Sequence, residues 1–283
     1  MAEATPEHSH SADATMHPRV SLSAISTFSW SLDDDLAFYE RAGITAIGAS
    51  LAKLEAAGIE DGARRLRDAG VRVTNLIGIG PFHLDNPAQW DGQRDRLRRA
   101  LDAAEAVGAE CTILTTGPAR QLPWEAAADA LQEALAPIVA AANAKGIPFG
   151  LEHTNSLRAD VGFIHSLHDC VDVARRLGIG VCVEFNACWA ERGLADTLRD
   201  GVDTFRIVQV SDYAIGTTST PNRLVPGDGD IPLDRVLGQV LAAGYQGCFD
   251  LELIGPRIDE EGYESACTRA VSAIGDLLDR LGA

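Results

Sequence analysis

Four short apolar segments of this chain each carry, at or near their C-terminal end, a side chain whose oxygen could bind a metal ion. The segments are residues 148–152, 180–184, 205–209 and 248–252. Each is typical of a buried strand, and an α/β barrel collects its chemistry at the C-terminal ends of such strands. The side chains concerned are Glu152, Glu184, Gln209 and Glu252. We expect these three carboxylates and one amide to converge on a hard divalent cation.

Such a site would suit the chemistry of a hydroxy-ketone. Carboxylate and amide oxygens favour Mg²⁺ or Mn²⁺, and four protein ligands leave open positions for two substrate oxygens. The ion would polarise the carbonyl and stabilise the enediolate formed when the neighbouring carbon loses its proton. Carboxylates at the edge of the site are suitable proton carriers, because one can remove the proton and another can return it.

The elements that must position these residues alternate along the chain between strand-like and helix-like segments. Earlier strands are predicted at 20–25, 44–49, 71–77 and 111–116. Helices are predicted at 31–43, 54–69, 95–107, 125–145, 167–177, 190–199 and 233–243. Eight such units of roughly 30 residues predict a (β/α)8 TIM barrel. A doubly wound open sheet is less favoured, because no G-x-G-x-x-G follows the first strand.

The domain prediction is a disordered N-terminal tail at residues 1–18 and one barrel domain at 19–283. A chain of 283 residues with 46% hydrophobic residues can bury one large core. The net charge of −17 argues against a nucleic-acid partner and against an anionic membrane surface, since both need clustered cations. The six cysteines are scattered without a C-x-x-C pair, which favours reduced thiols and a cytoplasmic protein.

Five sequence motifs, in their order along the chain, indicate a family. They are Leu151-Glu152-His153, Val181-Cys182-Val183-Glu184, Val208-Gln209-Val210-Ser211-Asp212, residues 223–231, and residues 243–247 leading to Leu251-Glu252. Together they resemble the sugar phosphate isomerase/epimerase superfamily, also called the xylose isomerase-like or endonuclease IV-like TIM barrel group. The resemblance covers the chain from about residue 20 to residue 281.

The resemblance implies one divalent ion, often manganese, held by Glu, Asp, His and Glu at the ends of the fifth to eighth strands. The matching positions are Glu152, Glu184, Gln209 and Glu252. Glu184 replaces the usual Asp and lengthens the ligand by one methylene. Gln209 replaces the usual His with a weaker and harder amide oxygen, which favours magnesium or manganese over zinc.

The function that the resemblance implies is isomerisation or epimerisation of a polyhydroxylated carbonyl compound, with Glu152 and Glu252 as the acid/base pair. Ketose epimerases of the family commonly carry a His where this chain has Ala187. A metal-dependent lyase or dehydratase is therefore a close alternative, acting by β-elimination on a keto-sugar, keto-glycoside, inosose or dehydroshikimate-like substrate. A non-catalytic barrel subunit is a remote alternative, and a DNA-repair endonuclease is disfavoured by Gln209 and by the negative charge.

Further side chains are expected to contact the substrate. Arg223 matches an arginine that reaches the substrate in many family members, and this role is preferred to the alternative of an ordinary loop arginine paired with Asp228 or Asp230. Other candidates lie after predicted strands, where packing or capping roles also explain them: His153, Asp212, Trp30, Phe82 and Trp189. The expected partner is a sugar-like small molecule, and a homo-oligomer is compatible because barrels of this group are often dimers or tetramers.

Overall fold

Eight short strands pair in chain order, and the last pairs with the first, so that the sheet closes into a barrel. The computed structural model describes residues 16–283. All eight strand pairs are parallel. The strands are β1 (Val20–Ser23), β2 (Ala46–Ser50), β3 (Arg72–Ile79), β4 (Thr112–Thr115), β5 (Phe149–Glu152), β6 (Gly180–Glu184), β7 (Phe205–Val210) and β8 (Phe249–Leu251).

Helices follow the strands and cover the outside of the barrel. They are α1 (Leu32–Ala42), α2 (Leu51–Ala57), α3 (Ile59–Asp68), α4 (Trp90–Val107), α5 (Trp124–Lys145), α6 (Leu167–Leu177), α7 (Phe185–Cys188), α8 (Leu194–Gly201), α9 (Leu233–Ala242), α10 (Pro256–Glu261) and α11 (Tyr263–Leu281). This alternation around a closed parallel sheet confirms the predicted (β/α)8 TIM barrel.

The local sequence explains where several helices begin and end. Ser31 accepts a hydrogen bond from the backbone of Asp34 and begins α1, while Gly43 ends it in a left-handed conformation. The single helix predicted at residues 54–69 is two helices, because Gly58 interrupts it with a φ of 82°. The prediction missed this break, since an isolated glycine does not disturb the apolar period on either side.

The core has two parts, one between strands and helices and one inside the barrel. The inner cluster is formed by Ile77, Cys111, Ile113, Cys182, Ile207 and Cys248. All six cysteines are free and buried, as expected from their spacing. Burial raises the pKa of the Cys111 and Cys182 thiols, which keeps these side chains neutral.

The described structure begins slightly before the predicted start of the domain. His17 accepts a hydrogen bond from the backbone N–H of Arg19, and its carbonyl accepts one from Val20. Met16 packs against the core, with its sulfur 3.5 Å from the backbone nitrogen of Thr45. Met16 to Pro18 are therefore part of the barrel, whereas residues 1–15 of the predicted tail lie outside the described residues. None of the described helices combines the length and apolar character needed to cross a bilayer.

Candidate functional site

A cavity of about 360 Å³ opens at the C-terminal end of the barrel. Three of the four residues predicted to bind a metal line its wall, together with Arg223; these are Glu152, Glu184 and Glu252. Gln209, the fourth, is completely buried and contacts Glu252. The structure thus brings all four predicted ligands to one end of the barrel, although only three of them face the cavity.

The strand register explains this convergence. Glu184 at the end of β6 pairs with Gln209 on β7, and Gln209 pairs with Asp250 on β8. Glu252 lies two residues beyond Asp250 and therefore on the same face of its strand. Glu152 ends β5 on the other side of β6. A period of two residues along parallel strands is sufficient to direct these side chains into the barrel.

Arg223 connects two of the carboxylates across the cavity. Its Nη2 lies 2.8 Å from Oε2 of Glu184, and its Nη1 lies 3.2 Å from Oε1 of Glu252. Arg223 lies in the loop between β7 and α9, and its backbone N–H donates to the carbonyl of Ile254, which follows β8. Burial opposes a charged guanidinium, but the neighbouring carboxylates outweigh burial and raise the pKa of Arg223. The predicted position of Arg223 beside the cavity is thus observed, and its carboxylate partners are not Asp228 or Asp230.

The carboxylates are held in an environment that disfavours their charge. Burial, followed by repulsion from Glu252 and Glu184, raises the pKa of Glu152 well above its usual value. Burial also raises the pKa of Glu184 to about 7, although Arg223 opposes the shift. With all three carboxylates ionised and Arg223 as the buried cation, two negative charges remain uncompensated. A site of this kind attracts a divalent cation or retains protons.

The buried side chain of Gln209, beside Glu252, carries a hydrogen-bond acceptor that has no partner in the described part of the chain. Its Nε2 donates to Oε2 of Glu252 at 2.5 Å, and its Oε1 is buried without a hydrogen-bond partner among residues 16–283. Buried polar atoms normally have a partner, so this unpartnered amide oxygen beside carboxylates is an acceptor that a cation could satisfy. A half-turn of the amide would exchange its oxygen and nitrogen and present the oxygen to the side of Glu252.

The donor set therefore fits a hard divalent ion in its chemistry and charge. Within residues 16–283, however, no three His, Cys, Asp or Glu side chains are arranged so that they could hold a metal ion. Arg223 and Gln209 contact the carboxylate of Glu252. Binding of an ion by Glu252 would require its carboxylate to leave these contacts.

Two polar residues predicted to contact substrate lie behind the cavity. His153 is completely buried, and its Nε2 accepts the backbone N–H of Glu184 at 3.1 Å. Burial lowers the pKa of His153 to about 3, so the ring is neutral. Asp212 accepts hydrogen bonds from four backbone N–H groups; the donors are Tyr213, Gly227, Gly229 and Ile231. His153 supports a strand end, and Asp212 organises the loop that carries Arg223.

The predicted aromatic wall is not assembled at the cavity either. Trp30 makes edge contacts with Phe38 and Tyr263 outside the barrel. Phe82 is buried, with its backbone so close to Gly117 that a side chain on Gly117 would overlap it. Trp189 packs against the core and accepts a hydrogen bond from Arg235 through its carbonyl. None of the three lines the cavity, because the loops after their strands turn them towards the helices.

Aliphatic side chains form the opposite wall instead; they are Ile25, Ile77, Ile79 and Ile113. Three further polar residues line the cavity and were not predicted from the sequence: Asn155 and Arg158 in the loop after β5, and Asn186 in α7 after β6. The sequence position of Asn155 could have indicated a role, since an Asn just after a strand can cap a turn. In the structure its Oδ1 accepts the N–H of Leu157. Ala187 also lines the cavity and presents only a methyl group to it.

Comparison with protein families gives a match over most of the chain. A family model described as "Xylose isomerase-like TIM barrel" matches residues 36–270. No curated protein sequence matches this chain.

Solved structures of known proteins share the fold at low sequence identity. A protein of Sinorhizobium meliloti 1021 is 22% identical with a TM-score of 0.83, covering 92% of this chain and 98% of the other. The IolI protein, determined with a bound zinc atom, is 14% identical with a TM-score of 0.79, covering 93% of this chain and 98% of its own. An L-ribulose 3-epimerase is 18% identical with a TM-score of 0.74, covering 93% of this chain and 95% of its own.

Proposed function

The chain belongs to the xylose isomerase-like TIM barrel family, and from its cavity we propose that it is a metal-dependent isomerase or epimerase of a sugar-like carbonyl compound. The observation that carries this proposal is the set of buried carboxylates at three strand ends around one cavity, with Arg223 between two of them. Isomerases need such groups, because a proton must leave one position and return at another.

The residues that would hold a divalent ion are Glu152, Glu184, Gln209 and Glu252. Two uncompensated charges and the unpartnered Oε1 of Gln209 support this assignment. When bound, a divalent ion supplies Lewis-acid polarisation of a carbonyl oxygen. The IolI structure contains zinc, whereas the amide ligand of this chain favours Mg²⁺ or Mn²⁺.

The proton transfers are assigned to Glu252 and Glu152. Gln209 and Arg223 both contact Glu252 with N–H groups, which suits an ionised base. Burial and neighbouring carboxylates raise the pKa of Glu152, which suits a protonated acid. Glu252 takes the proton from the carbon beside the carbonyl, and the electron pair moves to the carbonyl oxygen. Glu152 then returns a proton to the opposite face of the same carbon, which gives epimerisation, or to the former carbonyl carbon. In the second case the hydroxyl proton of the neighbouring carbon passes to the former carbonyl oxygen, so that the carbonyl moves by one carbon. The roles of the two carboxyl groups exchange in the reverse reaction.

Arg223 would orient the substrate during these steps. Its guanidinium is fixed by two carboxylates and lines the cavity, so its remaining N–H groups can donate to a hydroxyl or carbonyl oxygen. The aliphatic wall opposite would exclude water from the carbon that exchanges its proton.

The test is incubation with Mn²⁺ and a panel of ketoses, inososes, 3-keto-glycosides and dehydroshikimate in deuterated water. We expect incorporation of deuterium next to the carbonyl, measured by NMR or mass spectrometry. Glu152→Gln and Glu252→Gln should each slow exchange about 10²–10⁴-fold, because each removes one proton carrier. Glu133→Gln, on the exposed side of α5, is the matched control. Full activity in either active-site variant would refute the acid/base pair.

Elimination is the second candidate, because Ala187 places only a methyl group in the cavity wall. No imidazole is available there to hold a substrate hydroxyl in place, so a leaving group could depart after the same first proton abstraction. The same incubation distinguishes the reactions. An unsaturated product with its new ultraviolet absorbance would identify a lyase, whereas exchange without loss of water or aglycone would identify an isomerase.

A further inference from the structure

Two arginines line the cavity, and they differ in how their charge is compensated. Arg223 is largely buried, with 15% of its side chain exposed, and lies between Glu184 and Glu252. Arg158 lies in the loop after β5, with 33% of its side chain exposed. Arg158 is therefore a cation at the same cavity that the carboxylates of the strand ends do not neutralise.

The backbone of Arg158 is held in a defined position. Asn155 caps the short turn before it, and the N–H of Arg158 donates to the carbonyl of Asn155 at 2.7 Å. The carbonyl of Arg158 accepts from both Val161 and Gly162. Gly162 pairs in turn with Gly117 in the loop after β4. The loop thus presents the guanidinium from a fixed base, which reduces the entropy lost when a ligand binds.

The carboxylate beside Arg158 leaves it available to a ligand. Asp160 accepts from Nε at 3.0 Å and from Nη2 at 3.2 Å, but 68% of its side chain is exposed and it does not line the cavity. The contact is bidentate, but water reaches both side chains and screens the pair, which limits its strength. In the part of the chain that the structure describes, Nη1 of Arg158 has no hydrogen-bond partner.

Among the described residues that line the cavity, Arg158 is the cation whose charge no strand-end carboxylate compensates, and it therefore suits a negative group of a ligand best. Glu152, Glu184 and Glu252 would repel an anion from the floor of the cavity. Ile25, Ile79 and Ile113 on the opposite wall offer no hydrogen-bond donor. A chain with a net charge of −17 also repels anions at long range, so an anionic ligand needs a local cation.

We propose that Arg158 determines specificity by binding an anionic group of the substrate, a carboxylate or a phosphate, at the mouth of the cavity. The carbonyl end of the same molecule then lies against Glu152 and Glu252. The inference rests on the proposed function for the orientation of the substrate, and it narrows the substrate class to acidic sugar-like carbonyl compounds. A planar guanidinium is suited to this task, since it can donate two hydrogen bonds to either anion.

The experiment measures binding rather than turnover, by isothermal titration in the presence of Mn²⁺. The probes are D-fructose, D-fructose 6-phosphate and 5-keto-D-gluconate, which are neutral, phosphorylated and carboxylated. We expect the wild-type protein to prefer at least one acidic probe, and the identity of that probe distinguishes phosphate from carboxylate. Arg158→Gln should weaken that probe about tenfold to a hundredfold and leave the neutral probe unchanged. Arg158→Lys should recover part of the affinity.

Arg120→Gln is the control, because Arg120 is an exposed arginine after β4 that does not line the cavity. Failure of both acidic probes to bind the wild type more tightly than D-fructose would overturn the inference, as would an equal loss for all probes in Arg158→Gln. Deuterium exchange is measured on the same samples. Deuterium exchange together with binding that does not depend on Arg158 would support the proposed function and refute the anion site. Binding that depends on Arg158 without deuterium exchange would support the anion site and refute the proposed function.

Discussion

Arg223 dominates the electrostatics of the cavity at the scale of single residues. It is 15% exposed and contacts Glu184 and Glu252, which are 3% and 13% exposed. A buried pair adds little stability relative to apolar residues, yet loss of one member leaves its partner charged and dehydrated. The carboxylates around the arginine therefore require its charge.

We predict that Arg223→Met lowers the free energy of unfolding by about 3–5 kcal/mol at pH 8 without divalent ions. The cause is the loss of the cation between two buried carboxylates. Urea denaturation followed by circular dichroism measures the change. Arg41→Met is the matched control, since Arg41 and Glu264 are both more than half exposed, and it should cost about 0–1 kcal/mol. Equal costs for the two variants would contradict this account.

Connections between neighbouring elements hold the strand ends in place. His153 at the end of β5 accepts the N–H of Glu184 at the end of β6. Asp212, after β7, gathers four N–H groups of the following loop and so supports the segment that carries Arg223. These residues position the site without facing the cavity, and both are fully or almost fully buried.

The neutral state of His153 gives a testable pH dependence. Burial lowers its pKa from 6.5 to about 3, so between these values the unfolded chain binds a proton that the native protein does not. The contribution of the neutral ring to the free energy of unfolding is fully present above pH 6.5. It is lost as the pH falls towards 3, by up to about 1.4 kcal/mol per pH unit.

His153→Gln should therefore show a shallower loss of unfolding free energy than the wild type over this range, because glutamine keeps an acceptor but does not titrate. Urea denaturation at a series of pH values measures the two slopes. His168→Gln is the control, since 69% of the His168 side chain is exposed. A slope in His153→Gln equal to that of the wild type would exclude His153 as the source.

The charge of the whole molecule bears on any metal test. A net charge of −17 attracts cations to the surface in general, so stabilisation by a divalent ion must be separated from screening. A specific site differs in two respects, because it saturates at low concentration and depends on particular residues.

We predict that Mn²⁺ raises the melting temperature and that Glu184→Gln weakens this response. At a free concentration a hundredfold above its Kd, the ion should add about 2.7 kcal/mol to the free energy of unfolding. Differential scanning calorimetry measures the shift, with NaCl at the same ionic strength as the control. Identical shifts with NaCl and Mn²⁺, or no shift with either, would favour a non-catalytic barrel.

The amino-acid sequence alone was sufficient to predict the barrel and the residues at the ends of its strands. Strand and helix periods are local, and a parallel strand ends with its side chains at one edge of the barrel. The positions of Glu152, Glu184 and Glu252 follow from this regularity. So does the position of Gln209 at the end of the seventh predicted strand, and in the structure Gln209 is the register partner of Glu184.

Only the tertiary structure decided what these side chains contact. The pairing of Arg223 with Glu184 and Glu252, the burial of His153 and the placement of Trp30 and Phe82 away from the cavity depend on loops that bring distant segments together. The sequence did not single out Arg158, because an arginine in a loop has no periodic pattern to mark it. Loop paths depend on many weak contacts across the fold, and for this reason local patterns predicted the frame of the site but not its charge arrangement.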